Sequence, residues 1–311
     1  MHFDSPYSRA LLKFWEFPAF RWIYIKYLNF TRFSKVGHND PKVGIMIVKN
    51  KKSQSIEYEK KRKLTKINKD SNVGNGKVWT NRLKSVVLPK ILPMTQFNCQ
   101  EEVNILDEVR EIKEVNNFLM NNGKNRTGTM LSIDFKDAFR SVSLRWFNLV
   151  MKKCNIPEQF REWFWKMYEN LGVMIVVNCC KSDIIKVTRG FMEGHPASMA
   201  GFVVSLIPLM MKMEETLQGI TINKKIHKCK FFAYDCKAFI SKIEEIDILL
   251  KIIEEFEEVS GVRMHRDPKK GKCQALPFGD HMKYKEWDRW PLVSVQICSN
   301  LRALTVKKRI I

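Results

Sequence analysis

Residues 230–241 read Lys-Phe-Phe-Ala-Tyr-Asp-Cys-Lys-Ala-Phe-Ile-Ser, two apolar runs meeting at a short polar interruption. Runs joined so tightly predict a β-hairpin with Tyr234 and Asp235 at its turn. A carboxylate held at a tight turn and backed by two buried strands is rigid enough to position a metal ion. Well upstream, Asp134 in Ser-Ile-Asp-Phe-Lys-Asp-Ala-Phe ends another short apolar strand. Two strand-end carboxylates brought together by one sheet could share divalent ions, the arrangement that phosphoryl transfer needs. The hairpin offers one carboxylate, preceded by a phenol that stays neutral at pH 7. Asp137 is no substitute, because an odd offset from Asp134 along a strand points to the opposite face.

The elements that must hold these residues follow from periodicity and punctuation. Ser71-Asn72-Val73-Gly74-Asn75-Gly76 reads as a linker, dense in turn formers, and a helix over Trp79–Val87 is limited by Pro89 and Pro93. Apolar residues at 105, 109, 112, 115, 118 and 119 argue an amphipathic helix within Glu101–Met120, closed by Asn121-Asn122-Gly123. The strand Met130–Phe135 is followed by a helix over Leu144–Lys153 and an aromatic one after Pro157. Val173–Asn178 and Asp183–Thr188 form a hairpin across Cys179–Ser182, and Pro196 opens a long apolar helix ending near Gly219. Glu244–Glu258 is a helix capped at Gly261. Helices alternating with short hairpins predict an α+β fold, a small antiparallel sheet covered by helices on one face.

Composition narrows the partners. The 311 residues bury a full core, and 54 Lys and Arg against 33 Asp and Glu give a net charge of +21. Residues 1–70 alone carry 16 basic and 6 acidic side chains, a basic N-terminal extension suited to polyanions. Nucleic acid is the expected partner, ahead of a membrane surface, for which no strongly amphipathic basic helix is evident. The aromatic stretch Leu11–Tyr24 is interrupted by Lys13, Glu16, Pro18 and Arg21, so it is neither a membrane span nor a signal segment. Eight cysteines without a Cys-x-x-Cys pair read as reduced, mostly buried thiols of an intracellular protein, nuclear or cytoplasmic.

The order of these pieces resembles the fingers and palm of a right-hand polymerase, the reverse transcriptase of non-LTR (LINE-type) retrotransposons. Five motifs carry the resemblance. Asn81-Arg82-Leu83-Lys84 with Leu88-Pro89-Lys90-Ile91 and Gln96-Phe97 looks like the fingers helix and the glutamine segment after it. Ile133-Asp134-Phe135-Lys136-Asp137-Ala138-Phe139 is similar to the first catalytic palm motif. Arg189-Gly190-Phe191-Met192-Glu193-Gly194-His195-Pro196-Ala197-Ser198 resembles the family's Arg-Gly-x-x-Gln-Gly-Cys-Pro-x-Ser turn. Phe232-Ala233-Tyr234-Asp235 sits where the family has Phe-Ala-Asp-Asp, and Gly261–Cys273 resembles the segment that follows.

The resemblance implies an RNA-directed DNA polymerase using two Mg²⁺ ions, an RNA or DNA template-primer and dNTPs. It assigns metal binding and catalysis to Asp134 and Asp235, and protonation of pyrophosphate to Lys270 or its neighbours Lys269 and Lys272. Phe135 would assist through its carbonyl, and Phe139 would exclude a ribose 2′-hydroxyl. Arg189, Gly194 and Pro196 would line the template turn. It places the linker at 71–78, fingers and palm at 79–286, and an unassigned tail at 287–311. Two departures bear on chemistry: Tyr234 replaces a metal-holding Asp, and Glu193 replaces a Gln near phosphate. With no Arg-Pro-Ile segment, thumb or upstream endonuclease recognised, the expectation is a truncated, partly degenerate domain with impaired transfer. The alternatives are a silent nucleic-acid-binding protein and a non-functional transposon remnant.

Overall fold

The computed structural model describes residues 42–50, 62–67, 77, 80–99, 105–120, 126–168, 171–177, 180–181, 183–192 and 195–294. The expected linker at Ser71–Gly76, Glu193 and Gly194 lie outside the described residues, as do 1–41 and 295–311.

Five strands build the central sheet: β3 (Gly128–Ile133), β10 (Cys229–Phe232), β11 (Asp235–Ile240), β13 (Gln274–Phe278) and β14 (Val293–Ser294), in the order β10-β11-β3-β13-β14. All neighbours are antiparallel except β13 and β14. β14 and the turn at Trp287–Arg289 fall in the stretch to which the sequence assigns no element. Trp287, Trp290 and Leu292 are buried in the main core, which anchors this end of the chain.

Leu131, Ile133, Cys236, Ala238 and Ile240 turn one face of the sheet into that core. Helices α6 (Pro196–Ser205), α7 (Ile207–Thr216) and α8 (Glu245–Ser260) supply Phe202, Met210 and Ile253 against it. α6 and α7 occupy the single long helix expected after Pro196. They part at Leu206 because Pro208 lacks an N–H for the preceding turn and crowds the carbonyl four residues back. Together they are long and apolar enough to cross a membrane, yet 72% of that stretch is buried inside the protein, which makes it core.

The second face is covered as well, where the sequence predicts one covered face. α2 (Ile105–Met120) lays Val115 and Leu119 onto Phe239, Leu276 and Phe278. The physical reason is that β11 and β13 are apolar on both faces at this end, so an uncovered second face would expose aromatic surface.

The remaining helices sit around the core. The fingers helix runs through Pro89: a π-turn at Leu83–Val87 leads directly into α1 (Leu88–Ile91), with the proline in the first turn. The wider turn relieves the missing N–H, so the helix ends at Leu92 before Pro93. α3 (Ala138–Ser141), α4 (Leu144–Lys153) and α5 (Glu158–Tyr168) follow the first palm strand. A second sheet joins β1 (Lys42–Asn50) and β2 (Arg62–Ile67) to β5 (Leu171–Val177), whose return strand is split into β6 (Cys180–Lys181) and β7 (Ile185–Lys186). The basic N-terminal extension therefore contributes β1 and β2 to this sheet.

Candidate functional site

The sheet brings the two carboxylates to one edge. β3 and β11 pair up to Ile133 opposite Cys236, which leaves Asp134 and Asp235 as the next residues at adjacent strand ends. Ile133 and Cys236 point into the main core, so alternation sets Asp134 and Asp235 on the other face. Ser132 and Lys237 share that face, where the Lys237 Nζ donates to the Ser132 Oγ at 2.5 Å. The hairpin turn is Ala233-Tyr234, and Asp235 is already the first strand residue, opposite Phe232.

Gln96 holds this turn from below. Its fully buried amide accepts hydrogen bonds from the N–H groups of Ala233 and Asn98, both at 3.0 Å. The Gln96 Nε2 donates back to the Ala233 carbonyl at 3.4 Å. Ala233 has φ 54°, a left-handed conformation that a residue with a Cβ adopts only when its surroundings impose it. Phe97 N–H to the Phe231 carbonyl, and Phe231 N–H to the Thr95 carbonyl, stitch the segment after the fingers helix along β10. The sequence marks Gln96 as part of a motif, but its role as a clamp on the hairpin turn emerges only when the two segments meet.

Tyr234 is packed as an aromatic. Its ring lies edge-on to Phe139 and Phe202, both at 6.3 Å, while Phe139 stacks on Phe202 at 4.7 Å. Tyr234 thus forms the rim of an apolar cluster with Phe139 and Phe202. Asp134 is tied from both sides: its N–H reaches the Cys273 sulfur at 3.4 Å and its carbonyl accepts from the His265 N–H at 2.9 Å. Its carboxylate lies 3.7 Å from the Lys272 Nζ. Lys270, the lysine singled out from the sequence, instead faces Asp267 at 3.7 Å within its own turn.

The other expected site residues are distributed around this edge. Phe135 is buried in the core beside Met264, its partner on the short strand Arg263–Met264. Arg189 is exposed and bridged to Ser143. Gly190 has φ 81°, and a Cβ there would stand 2.6 Å from the Arg140 carbonyl oxygen, so this turn requires glycine. Pro196 opens α6, whose amide at Ala197 donates to the His195 Nδ1 at 3.2 Å. Tyr168, unremarked in the sequence, accepts from the Met192 N–H at 3.1 Å and holds the same turn. Burial pushes its phenol up to about 12.

Behind Asp235, α2 presents Glu108, a nearly buried acid three residues after Ile105 and four before Ile112, on the helix's apolar face. Burial raises its carboxyl to about 7, with the Lys237 and Lys230 ammoniums opposing and the Asp235 charge adding to the rise. Among the described residues, no group of three or more His, Cys, Asp or Glu side chains is placed to hold a metal ion. Asp134 and Asp235 are the two carboxylates the sheet brings to this edge, and Asp134 lies beside Lys272.

A sheet with strand-end acids at a hairpin, clamped by a glutamine from the segment that follows the fingers helix, defines a polymerase palm. Residues 49–284 match the family model for reverse transcriptase (RNA-dependent DNA polymerase), and the chain belongs to that family. Among solved structures it is similar to apo telomerase from Candida tropicalis truncated at its C-terminal domain, at 11% identity and TM-score 0.51. That match covers 83% of this chain and 55% of the other. Telomerase from the same organism in complex with a TWJ fragment of telomeric RNA matches at 11% identity and TM-score 0.51, over 82% of this chain and 44% of that one. These likenesses establish the α+β polymerase fold. The chain spans about half the length of the structures it matches. No curated protein matches it.

Proposed function

We propose that this chain is the reverse-transcriptase domain of a non-LTR (LINE-type) retrotransposon that still engages an RNA or DNA template-primer but is strongly impaired in nucleotidyl transfer. The retrotransposon origin is supported by the five motifs occurring in that group's order. The impairment rests on one observation: Tyr234, in the place of a metal-holding Asp, packs its ring against Phe139 and Phe202. Loss of one shared ligand costs several kcal/mol of transition-state stabilisation, about three decades in rate or more.

Divalent ions, when bound in this family, activate the attacking hydroxyl and neutralise the triphosphate. The chain's own residues do the remaining work. Asp134 and Asp235 supply negative charge at one sheet edge, Lys272 brings a proton donor beside Asp134, and Phe139 excludes a ribose 2′-hydroxyl. A silent nucleic-acid-binding protein is the second reading, favoured by the Lys272 ammonium 3.7 Å from Asp134, which already balances the charge a metal would neutralise.

Primer extension by the wild type beside Tyr234→Asp, with Mg²⁺ titrated, tests the first reading. The wild type should incorporate dNTPs at or below detection, and Tyr234→Asp should bind Mg²⁺ more tightly and raise extension. Robust incorporation by the wild type, abolished in Asp134→Ala, would overturn it.

A further inference from the structure

The two-stranded sheet beside Asp134 carries a charge arrangement that packing does not explain. β4 (Phe135–Lys136) runs antiparallel to β12 (Arg263–Met264), with Met264 opposite Phe135 and Arg263 opposite Lys136. Phe135 and Met264 are buried on one side, and Lys136 and Arg263 are exposed on the other. The ribbon therefore sets two full cations directly across from each other, an arrangement that is destabilising on its own. Among the described residues neither has an acidic partner, whereas the nearby Arg266 is held by Glu257 at 2.6 Å and Glu254 at 3.4 Å.

More positive charge converges on the same place. Arg189 is exposed, and a Cβ built at Gly261 would stand 3.5 Å from its Nη1, two residues before Arg263. On the other strand, Lys136 follows Asp134 by two residues on the same alternating face. Opposite side chains on paired strands stand about 5 Å apart, close enough for both to donate to one phosphate or to two successive ones.

We propose that the Lys136–Arg263 pair is a phosphate-contact site that holds the backbone of a single RNA strand beside the Asp134–Asp235 edge. The inference rests on the nucleic-acid reading above and adds a specific pair of residues to it. Phosphates of a free nucleotide have the same chemistry, so the test separates the two sources.

Fluorescence anisotropy of an oligo(U) RNA on the full chain, followed over roughly 50–300 mM KCl, reads the number of phosphate contacts. The double variant Lys136→Gln/Arg263→Gln should flatten the log–log salt slope by about 1.4, from about 0.7 per single-strand contact. Lys136→Glu should weaken binding and, by pairing with Arg263, raise the thermal midpoint, a combination that a purely structural role does not produce. Competition with inorganic tripolyphosphate assigns the source. If the double variant loses tripolyphosphate affinity yet keeps the wild-type RNA slope, the phosphate site belongs to a nucleotide and the RNA assignment is overturned. A wild-type slope and unchanged tripolyphosphate affinity in the double variant overturn the site altogether. If the wild type itself binds no RNA at any salt, the nucleic-acid reading falls, and this inference falls with it.

Discussion

Tyr234 serves the fold as an aromatic, and under the proposed function the same ring works against the chemistry. A carboxylate at that position would stand beside Phe139 and Phe202, two apolar rings that do nothing to solvate it. The tyrosine ring instead adds edge-on aromatic contacts, each contributing about 0.5–1.5 kcal/mol. Tyr234→Asp should therefore destabilise the free protein even as it improves cation binding. Glu108 lies on the other side of the same edge and couples it to pH. Its folded-state value of about 7 stands above the ordinary 4.5, so the folded state holds that proton more tightly than the unfolded chain. The stability it contributes is complete below about pH 4.5 and is lost as pH rises through about 7. Glu108→Gln should remove this loss, making the variant more stable than the wild type at pH 8 by about 1–3 kcal/mol. Urea denaturation at pH 5 and pH 8 measures it, and an equal pH dependence in both proteins would show that Glu108 is not the titrating group.

At the level of elements, the hairpin that carries Asp235 depends on a segment far from it in sequence. Gln96 satisfies both backbone groups of Ala233, whose left-handed conformation has no side-chain support of its own. Gln96→Ala leaves a buried N–H and carbonyl unpaired and should cost about 2–3 kcal/mol in chemical denaturation. A loss under about 0.5 kcal/mol, the range of surface changes, would mean that water replaces the amide. Local pattern predicts the strands and helices that matter here: α4 begins at Leu144 and ends at Lys153 as read from apolar spacing, and Gly261 caps α8 with φ 77°. What local pattern could not supply was anything set by tertiary meeting. Lys272 is distinguished from Lys270 only by the turn at Pro268–Lys270, which aims one lysine at Asp267 and leaves the other to reach Asp134. The same holds for Pro89, which reads as a stop until the π-turn ahead of it is seen.

Across the whole molecule, charge and fold are not separable by truncation. Residues 42–70 carry ten basic and three acidic side chains, more of the excess than residues 1–41, which carry six and three. That richer segment includes β1 and β2, and β1 pairs along β5 from Lys42 opposite Leu171 to Ile47 opposite Val176. Deleting residues 1–70 would strip two strands from the second sheet and confound binding with folding. Substitution is the cleaner route. Lys51, Lys52, Lys60 and Lys61 fall between the two strands in sequence, so replacing them with Gln leaves both strand sequences intact. If this segment tracks a nucleic-acid backbone, the quadruple variant should flatten the salt dependence of RNA binding by up to about 3, again from about 0.7 per contact. Circular dichroism should match the wild type. A slope that stays at the wild-type value would move the interface off this segment and onto the palm edge, where Lys136, Arg189 and Arg263 lie.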